Sequence, residues 1–234
     1  MRPRAGALDS IRGALVVSMV LFHATYDLAY LYGIDMPWFT DGVWQEVWRC
    51  SISWSFLFLA GYMTAFSRNN ARRGLKYLLA AVAIYAVTSV VKVDTPISYG
   101  IIFCMAASTL LVQTVGSLTD KLPAAPLAIA SLLLFLALYG LPRETYDVQG
   151  LAWLGLPSAV FASGDYYPVL PYSLMYMTGS QIARWYKQRT SRLAPEWAYK
   201  HTIRPLAFIG RHALMIYLIH QPVLFVLWTV LYGA

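Results

Sequence analysis

Residues 8–27 read LDSIRGALVVSMVLFHATYD, a mostly apolar stretch that carries His23 near its centre and Asp27 four residues later. His23 lies twelve residues after Ile11, which is about 18 Å along a helix. Ionisable side chains at that depth in a bilayer are costly, and they usually mark a functional site. A spacing of four places both side chains on one helix face, so this pair is the first candidate for chemistry.

The composition of the chain predicts an integral membrane protein with an all-α fold. Hydrophobic residues make up 59% of the 234 residues, charged residues make up 12%, and the mean hydropathy is +0.53. These values differ from those of soluble domains, and the apolar runs are long enough to cross ~30 Å of hydrocarbon as helices. We predict one membrane-embedded domain over 1–234, a polytopic bundle of about seven spans near 11–31, 50–67, 75–91, 98–117, 124–141, 168–186 and 207–231.

Positive charge is distributed unevenly between the two sets of span ends. Of the 18 Lys and Arg residues, only Arg49, Lys92 and Arg143 fall at one set. Basic residues near span ends are retained in the cytoplasm, so the pattern predicts a cytoplasmic N-terminus and an outside C-terminus. Topology and anionic lipid together explain the net charge of +7, and we expect no nucleic acid partner.

Two connections predicted to face the outside have unusual compositions. The segment 32–49 is rich in tryptophan, which suits either a membrane-interface belt or a surface on which sugars stack. The segment 142–167 contains an apolar stretch too short to cross, which predicts a short interfacial or re-entrant helix near 151–162. Pro168 and Pro171 follow it and predict irregular backbone where the sixth span begins.

A second polar centre lies in the last predicted span. His220 is twelve residues after Phe208, so the helical rise places it at about the depth of His23. Pro222 has no N–H to give to the carbonyl of Leu218, which leaves an acceptor near His220. A role in chemistry and a role in helix packing both fit this histidine.

Several short motifs occur in an order that resembles a known family. They are LDSIRG at 8–13 followed by LFH at 21–23, FLFLAG at 56–61, YGII at 99–102, DYYPVLP at 165–171, IGRHAL at 209–214 and YLIHQP at 217–222. Over nearly its whole length the chain resembles the short bacterial form of the heparan-alpha-glucosaminide N-acetyltransferase catalytic family, within the wider transmembrane acyltransferase group. The resemblance implies a multi-pass protein of the bacterial cytoplasmic membrane that moves an acyl group from cytoplasmic acyl-CoA to an acceptor. It also suggests a homodimer.

The resemblance maps the first-span arginine and histidine of the acyltransferase group onto Arg12 and His23. It implies that His23 is the base or acyl-relay residue and that Arg12 contributes to the CoA end. The chain departs from the family at two places. The connection 32–49 lacks the histidine that the animal lysosomal enzyme is thought to use, and Phe103 stands where many bacterial relatives have histidine.

Transfer of an acetyl group from acetyl-CoA to an amine or hydroxyl needs a base and donors for the developing oxyanion. We expect His23 to act as the base with Asp27 holding its imidazole, and we expect Gln221, His220 or Tyr26 to donate. The residues expected to bind the nucleotide end of CoA are Arg12, Arg72, Arg73, Lys76, Arg211 and His212. Those expected to bind the acceptor are Trp38, Asp41, Trp44, Asp165 and Tyr166.

The sequence thus predicts an acyl-CoA-dependent membrane acyltransferase that acetylates the nitrogen or oxygen of an amino sugar or glycan. Two other classes stay open. His23 and His220 at matched depth also fit a bis-histidine haem protein that transfers electrons, and His23 with Asp27 fits a small proton-coupled transporter or flippase. We predict no metal site, because Cys50 and Cys104 have no ligand spacing.

Overall fold

A computed structural model describes residues 4–91 and 94–233, and within those ranges the regular elements are all helices. The α-helices are α1 (Gly6–Tyr30), α2 (Pro37–Thr40), α3 (Trp44–Tyr62), α4 (Asn70–Val91), α5 (Ile101–Thr119), α6 (Ala124–Ala137), α7 (Val169–Thr190), α8 (Glu196–Lys200), α9 (Arg204–Arg211) and α10 (Ala213–Tyr232). Short 3-10 helices cover Met63–Phe66, Leu141–Arg143 and Ala152–Leu154. The predicted all-α fold is confirmed.

Five helical segments of the described chain are long and apolar enough to cross a membrane, as expected for an integral membrane protein. They are Gly6–Tyr30, Asn70–Val91, Ile101–Thr119, Ala124–Arg143 and Ala213–Tyr232. The spans predicted near 50–67 and 168–186 form α3 and α7, which have the length but carry polar and charged residues at one end. Seven spans and the orientation of the termini therefore stay predictions. Lys92, one of the basic residues used to predict the orientation, lies outside the described residues.

The chain forms two compact units. The first contains the residues up to Phe56 and those from Ala194 onward, and the second is Leu57–Leu193. Their helices pack chiefly with partners in the same unit: α1 with α8, α9 and α10, and α7 with α5 and α6. The single domain predicted over 1–234 stays a prediction.

The opening motif of α1 forms the junction with α9. A Cβ at Gly13 would overlap the carbonyl oxygen of Leu206, and a Cβ at Gly210 would overlap that of Asp9. Only glycine permits backbones to approach so closely. The motif residues on both helices thus have a structural role in addition to any role in chemistry.

Ser10 holds the start of α9 against α1. Its hydroxyl accepts a hydrogen bond from the N–H of Ile203 at 3.0 Å, and Ile203 is the residue that precedes α9. The same hydroxyl donates to the carbonyl of Gly6, one turn back in its own helix. The bond from Ile203 to Ser10 thus gives a partner to a backbone N–H at a helix start that would otherwise lack one.

The last predicted span, 207–231, is two helices rather than one. α9 ends at Arg211 and α10 begins at Ala213, with His212 between them at φ −103° and ψ 16°. The close contact of Gly210 with α1 fixes the course of α9, so the chain changes direction before it enters the apolar helix. The prediction of a single helix over 207–231 is therefore wrong. Of the two helices, only α10 is long and apolar enough to be a candidate span.

The core of the first unit is aromatic and aliphatic. Trp48 packs edge-on against Phe22, with ring centroids 5.5 Å apart, and its indole N–H donates to the hydroxyl of Ser18 at 2.8 Å. The buried residues of this core come from α1, α2 and α3 and are Val16, Met19, Phe22, Phe39 and Ile52. This packing fixes the position of the α1 turns that come before His23.

The second unit uses arginine to satisfy a helix end. Arg184 of α7 donates to the carbonyls of Thr119 and Leu122, at and just beyond the end of α5, and pairs with Asp120 at 2.8 Å. The last carbonyls of a helix have no partner within it, and a cation there also interacts favourably with the helix dipole. α7 itself begins after Pro168, and Leu170 has extended dihedrals, which confirms the predicted irregular start.

The short helix predicted near 151–162 is not formed. The segment holds one 3-10 turn, Ala152–Leu154, and then follows an irregular path. Gly155 has a φ of +119°, which ends the turn in a conformation that other residues rarely adopt. Pro157 then lacks the backbone N–H that a continuing helix would use. The segment is therefore apolar in composition but not helical.

Candidate functional site

Four polar side chains predicted to act in chemistry meet in the first unit, where α1 packs on α10. The imidazole centroids of His23 and His220 are 5.0 Å apart. The amide nitrogen of Gln221 lies 3.3 Å from a carboxylate oxygen of Asp27. Asp27 and His220 are 2% and 6% exposed. We call these four residues the α1–α10 cluster.

The hydrogen bond of His220 assigns its neutral tautomer. Its Nδ1 lies 2.6 Å from the carbonyl oxygen of Tyr217. A carbonyl can only accept, so Nδ1 carries the proton and, in the neutral ring, Nε2 carries a lone pair. Nε2 is buried and has no hydrogen-bond partner among the described residues. The cluster therefore contains a buried proton acceptor that the protein leaves open.

Asp27 accepts a hydrogen bond from Gln221 of the facing helix. The amide nitrogen of Gln221 donates to Oδ1 of the Asp27 carboxylate, so a side chain of the facing helix reaches this group. That Asp27 also orients the His23 imidazole stays a prediction. Gln221 Oε1 is buried without a partner in the described residues, so the amide is anchored by its nitrogen alone.

His23 connects the cluster to the aromatic core. Its ring is half-buried and lies edge-on to Phe22 at 5.7 Å on one side and beside His220 on the other. Two imidazoles on opposite sides of an iron have bonds of ~2 Å each, which separates the ring centroids by ~6 Å. The observed 5.0 Å leaves no room for a porphyrin plane between the rings, so this arrangement argues against the haem hypothesis.

Arg12 is engaged at the start of α1. It donates to the buried carboxylate of Asp9, which also accepts from Arg4 at 2.7 Å. Arg211 and His212 are exposed, and His212 donates from Nδ1 to the carbonyl of Phe208 at 2.9 Å. Of the predicted CoA contacts in the first unit, Arg211 and the outer nitrogen of His212 are therefore the most accessible.

Three further predicted CoA contacts lie on α4 in the second unit, and their environments differ. Arg73 donates to the carbonyl of Ala60 at 2.6 Å, near the end of α3, and to the hydroxyl of Tyr77. Arg72 and Lys76 are exposed and lie one turn apart on another face of the helix. Arg73 thus stabilises the end of α3, whereas Arg72 and Lys76 can reach a phosphate.

The predicted acceptor residues of the first unit form an exposed rim around α2. Trp38 and Trp44 are 55% and 64% exposed, and Asp41 is exposed between them in the chain. The hydroxyl of Thr40 donates to Asp41 at 2.8 Å. Phe39, in contrast, is fully buried, so the short helix is anchored while the tryptophans and the carboxylate face outward.

The predicted acceptor residues of the second unit hold a loop. Asp165 accepts a hydrogen bond from the N–H of Ile101 at 3.0 Å, which caps the first turn of α5. Tyr166 donates to the carbonyl of Ala152 at 2.6 Å, and burial raises the pKa of its hydroxyl. Both side chains already bind backbone, and the acceptor surface proposed below consists of Trp38, Asp41 and Trp44.

Sequence reasoning missed the carbonyl that fixes His220. Pro222 pointed to the carbonyl of Leu218 as the acceptor, but the imidazole uses Tyr217, three residues back. Side-chain bonds to a carbonyl of the preceding turn depend on the rotamer, which a sequence does not display. The motif YLIHQP places Tyr217 and His220 three apart, and this spacing was the only available signal.

Comparison with protein families places the chain in a known one. The model of a protein family described as "Heparan-alpha-glucosaminide N-acetyltransferase, catalytic" matches residues 4–222. The matched range includes all of the second unit and all four residues of the α1–α10 cluster. No curated protein and no solved structure matched the chain.

Proposed function

Because the chain belongs to the heparan-alpha-glucosaminide N-acetyltransferase catalytic family, we propose that it transfers an acetyl group from acetyl-CoA to a sugar at the membrane. Membrane acetyltransferase activity follows from the family, whereas the donor, the acceptor and the residue roles are our proposal. The observation that carries it is the open Nε2 of His220 inside the α1–α10 cluster.

His220 is the general base in this proposal, in place of His23. Its Nε2 accepts the proton from the attacking amine or hydroxyl, while the Tyr217 carbonyl holds Nδ1–H and stabilises the imidazolium that forms. The new bond joins the acceptor atom to the acetyl carbon, and the carbon–sulfur bond breaks. The imidazolium then returns the proton to the departing thiolate, so charge and atoms balance.

Gln221 supplies the oxyanion donor. One N–H of its amide points to Asp27, and the other remains for the oxygen of the thioester carbonyl as negative charge develops there. Asp27 is buried and fixes the amide before the reaction begins, so little reorganisation is needed. Asp27 is therefore a positioning residue that acts through Gln221.

His23 assists His220 through proximity. Because the ring centroids are 5.0 Å apart, His23 and His220 cannot both be positively charged imidazolium ions without strong repulsion. His23 therefore stays neutral while His220 holds the proton. His23 also closes the cluster against the Phe22 ring, which keeps water from the thioester.

Charge and aromatic side chains indicate where the protein binds CoA and where it binds the sugar. The phosphates of CoA need accessible cations, and in the unit that contains the α1–α10 cluster Arg211 is exposed and basic. The sugar needs flat aromatic faces and a hydrogen-bonding group, which Trp38, Trp44 and Asp41 present. Arg12 contributes indirectly by holding Asp9 at the α1–α9 junction.

The test is an acetyl-transfer assay on the purified full chain with acetyl-CoA and a panel of amino sugars and neutral glycans. We expect free CoA and an acetylated sugar in equal amounts, detected by thiol release and mass spectrometry. We also expect no acetylated protein when acceptor is omitted, because the base does not become acylated. Failure with every acceptor contradicts the proposal, and sugar uptake by proteoliposomes without acetyl-CoA supports a proton-coupled transporter instead.

A further inference from the structure

The segment formed by α8, α9 and their connection exposes large apolar side chains in the first unit. Trp197, Ile203 and Phe208 are 48%, 58% and 57% exposed. Neither helix is among the candidate membrane spans of the described chain. Large apolar side chains that are exposed outside a span contact water unless a partner covers them.

Basic residues alternate with these apolar side chains. Lys200 and Arg204 are exposed, and Arg204 lies one helical turn before Phe208 on α9. The opposite side of α9 is occupied, because Ala207 and Gly210 are buried against α1. α9 is therefore amphipathic, with one face packed on protein and the other both basic and apolar.

Acidic residues nearby do not cancel this charge. Glu196 pairs with Lys200 at 2.6 Å, and the exposure of both side chains makes the pair weak. Asp9, on the adjoining helix, is buried and shared by two arginines, Arg4 and Arg12. The surface formed by Trp197, Lys200, Ile203, Arg204 and Phe208, which we call the α8–α9 surface, thus lies in a region of net positive charge.

We propose that the α8–α9 surface is a binding site for the headgroups of anionic phospholipids. The occupant follows from charge complementarity and from the membrane location of the chain. Basic residues beside Trp and Phe are the composition of helices that lie in the interface of an anionic bilayer, with the rings at headgroup depth and the cations on the phosphates. The site is independent of the acetyl-transfer proposal, since it uses none of the residues assigned to either substrate.

The test titrates the detergent-purified full chain with phosphatidylglycerol and with phosphatidylcholine, using native mass spectrometry to obtain dissociation constants. Each basic residue near an anionic surface contributes about fivefold in affinity. Lys200→Gln with Arg204→Gln is therefore expected to weaken phosphatidylglycerol binding about twenty-five-fold and leave phosphatidylcholine binding unchanged. The substituted side chains are exposed, so the unfolding temperature should not change.

The matched control removes two exposed basic residues of the second unit, Lys187→Gln with Arg189→Gln, and should change phosphatidylglycerol binding less than about threefold. Equal losses in both double variants would mean that net charge alone attracts the lipid, and the proposal fails. It also fails if inorganic phosphate or CoA, at matched ionic strength, displaces the bound phosphatidylglycerol. A dimer that the Lys200/Arg204 variant separates would assign the surface to a second copy instead.

Discussion

The two units differ in what their predicted site residues bind. In the second unit, the residues that the sequence singled out are used to complete helix ends and loops: Arg73 at the end of α3, Asp165 at the start of α5, and Tyr166 on the Ala152 carbonyl. In the first unit, buried atoms of His220 and Gln221 have no partner in the described chain. Neither the type of residue nor a missing partner marks a site by itself, because Asn70, Ser89 and Gln181 of the second unit also have buried polar atoms without a partner in the described chain. His220 and Gln221 differ from these because they lie beside His23 and Asp27.

The largest expected difference between the two units tests the open amide in the first unit. Gln221→Ala removes the proposed oxyanion donor and should lower kcat about 10² to 10³-fold, with little change in KM for acetyl-CoA. Gln188→Ala, at an exposed position of the second unit, is the matched control and should keep wild-type kcat. Steady-state kinetics on both purified variants measures the difference. Equal kcat values would remove Gln221 from the mechanism.

The next effect tests the α1–α9 junction that positions the first unit. Gly210→Ala places a Cβ on the carbonyl of Asp9, so a backbone shift is required and stability should fall by about 1–3 kcal/mol. Gly116→Ala, inside α5, meets open space and should stabilise by about 0.4–1 kcal/mol. Unfolding monitored in the same detergent compares the two variants. If Gly210→Ala is as stable as Gly116→Ala, the two helices do not approach as described.

A smaller effect tests whether Asp165 belongs to the fold rather than to the site. Asp165→Ala removes the cap on α5 and should lower stability by about 1 kcal/mol, while the folded enzyme keeps its KM for the sugar. Asp41→Ala should show the reverse, with unchanged stability and a raised KM, because Asp41 is exposed. A raised KM for Asp165→Ala would return this residue to the acceptor surface.

The smallest effect tests the aromatic rim. Trp44→Leu should raise KM for the sugar about twofold to tenfold and leave kcat unchanged, because a ring that stacks on the sugar contributes about 0.5–1.5 kcal/mol. Trp153→Leu, at a 40% exposed position of the second unit, is the control and should leave KM unchanged. Similar KM changes in both variants would show that general interfacial anchoring, rather than sugar contact, accounts for Trp44.

Apolar length was enough to predict the five candidate spans. Helical rise predicted a matched depth for His23 and His220, but not that their ring centroids lie 5.0 Å apart. Tertiary contacts decided the rest. The break at His212 depends on Gly210 meeting the backbone of α1, and the missing helix at 151–162 depends on the positive φ of Gly155. Arg72 and Arg73 are neighbours in sequence but lie in different environments. Consecutive helical residues point about 100° apart, so Arg73 faces the end of α3 whereas Arg72 is exposed.

The most direct measurement compares acetyl transfer by His220→Asn and His201→Asn in a single turnover. Asparagine places an amide N–H near the position of Nδ1, so the bond to the Tyr217 carbonyl can persist while the open Nε2 is removed. We predict transfer about 10² to 10⁴-fold slower for His220→Asn, with an unfolding temperature close to wild type, and wild-type transfer for His201→Asn, which alters an exposed loop histidine. Wild-type transfer by folded His220→Asn would contradict the account.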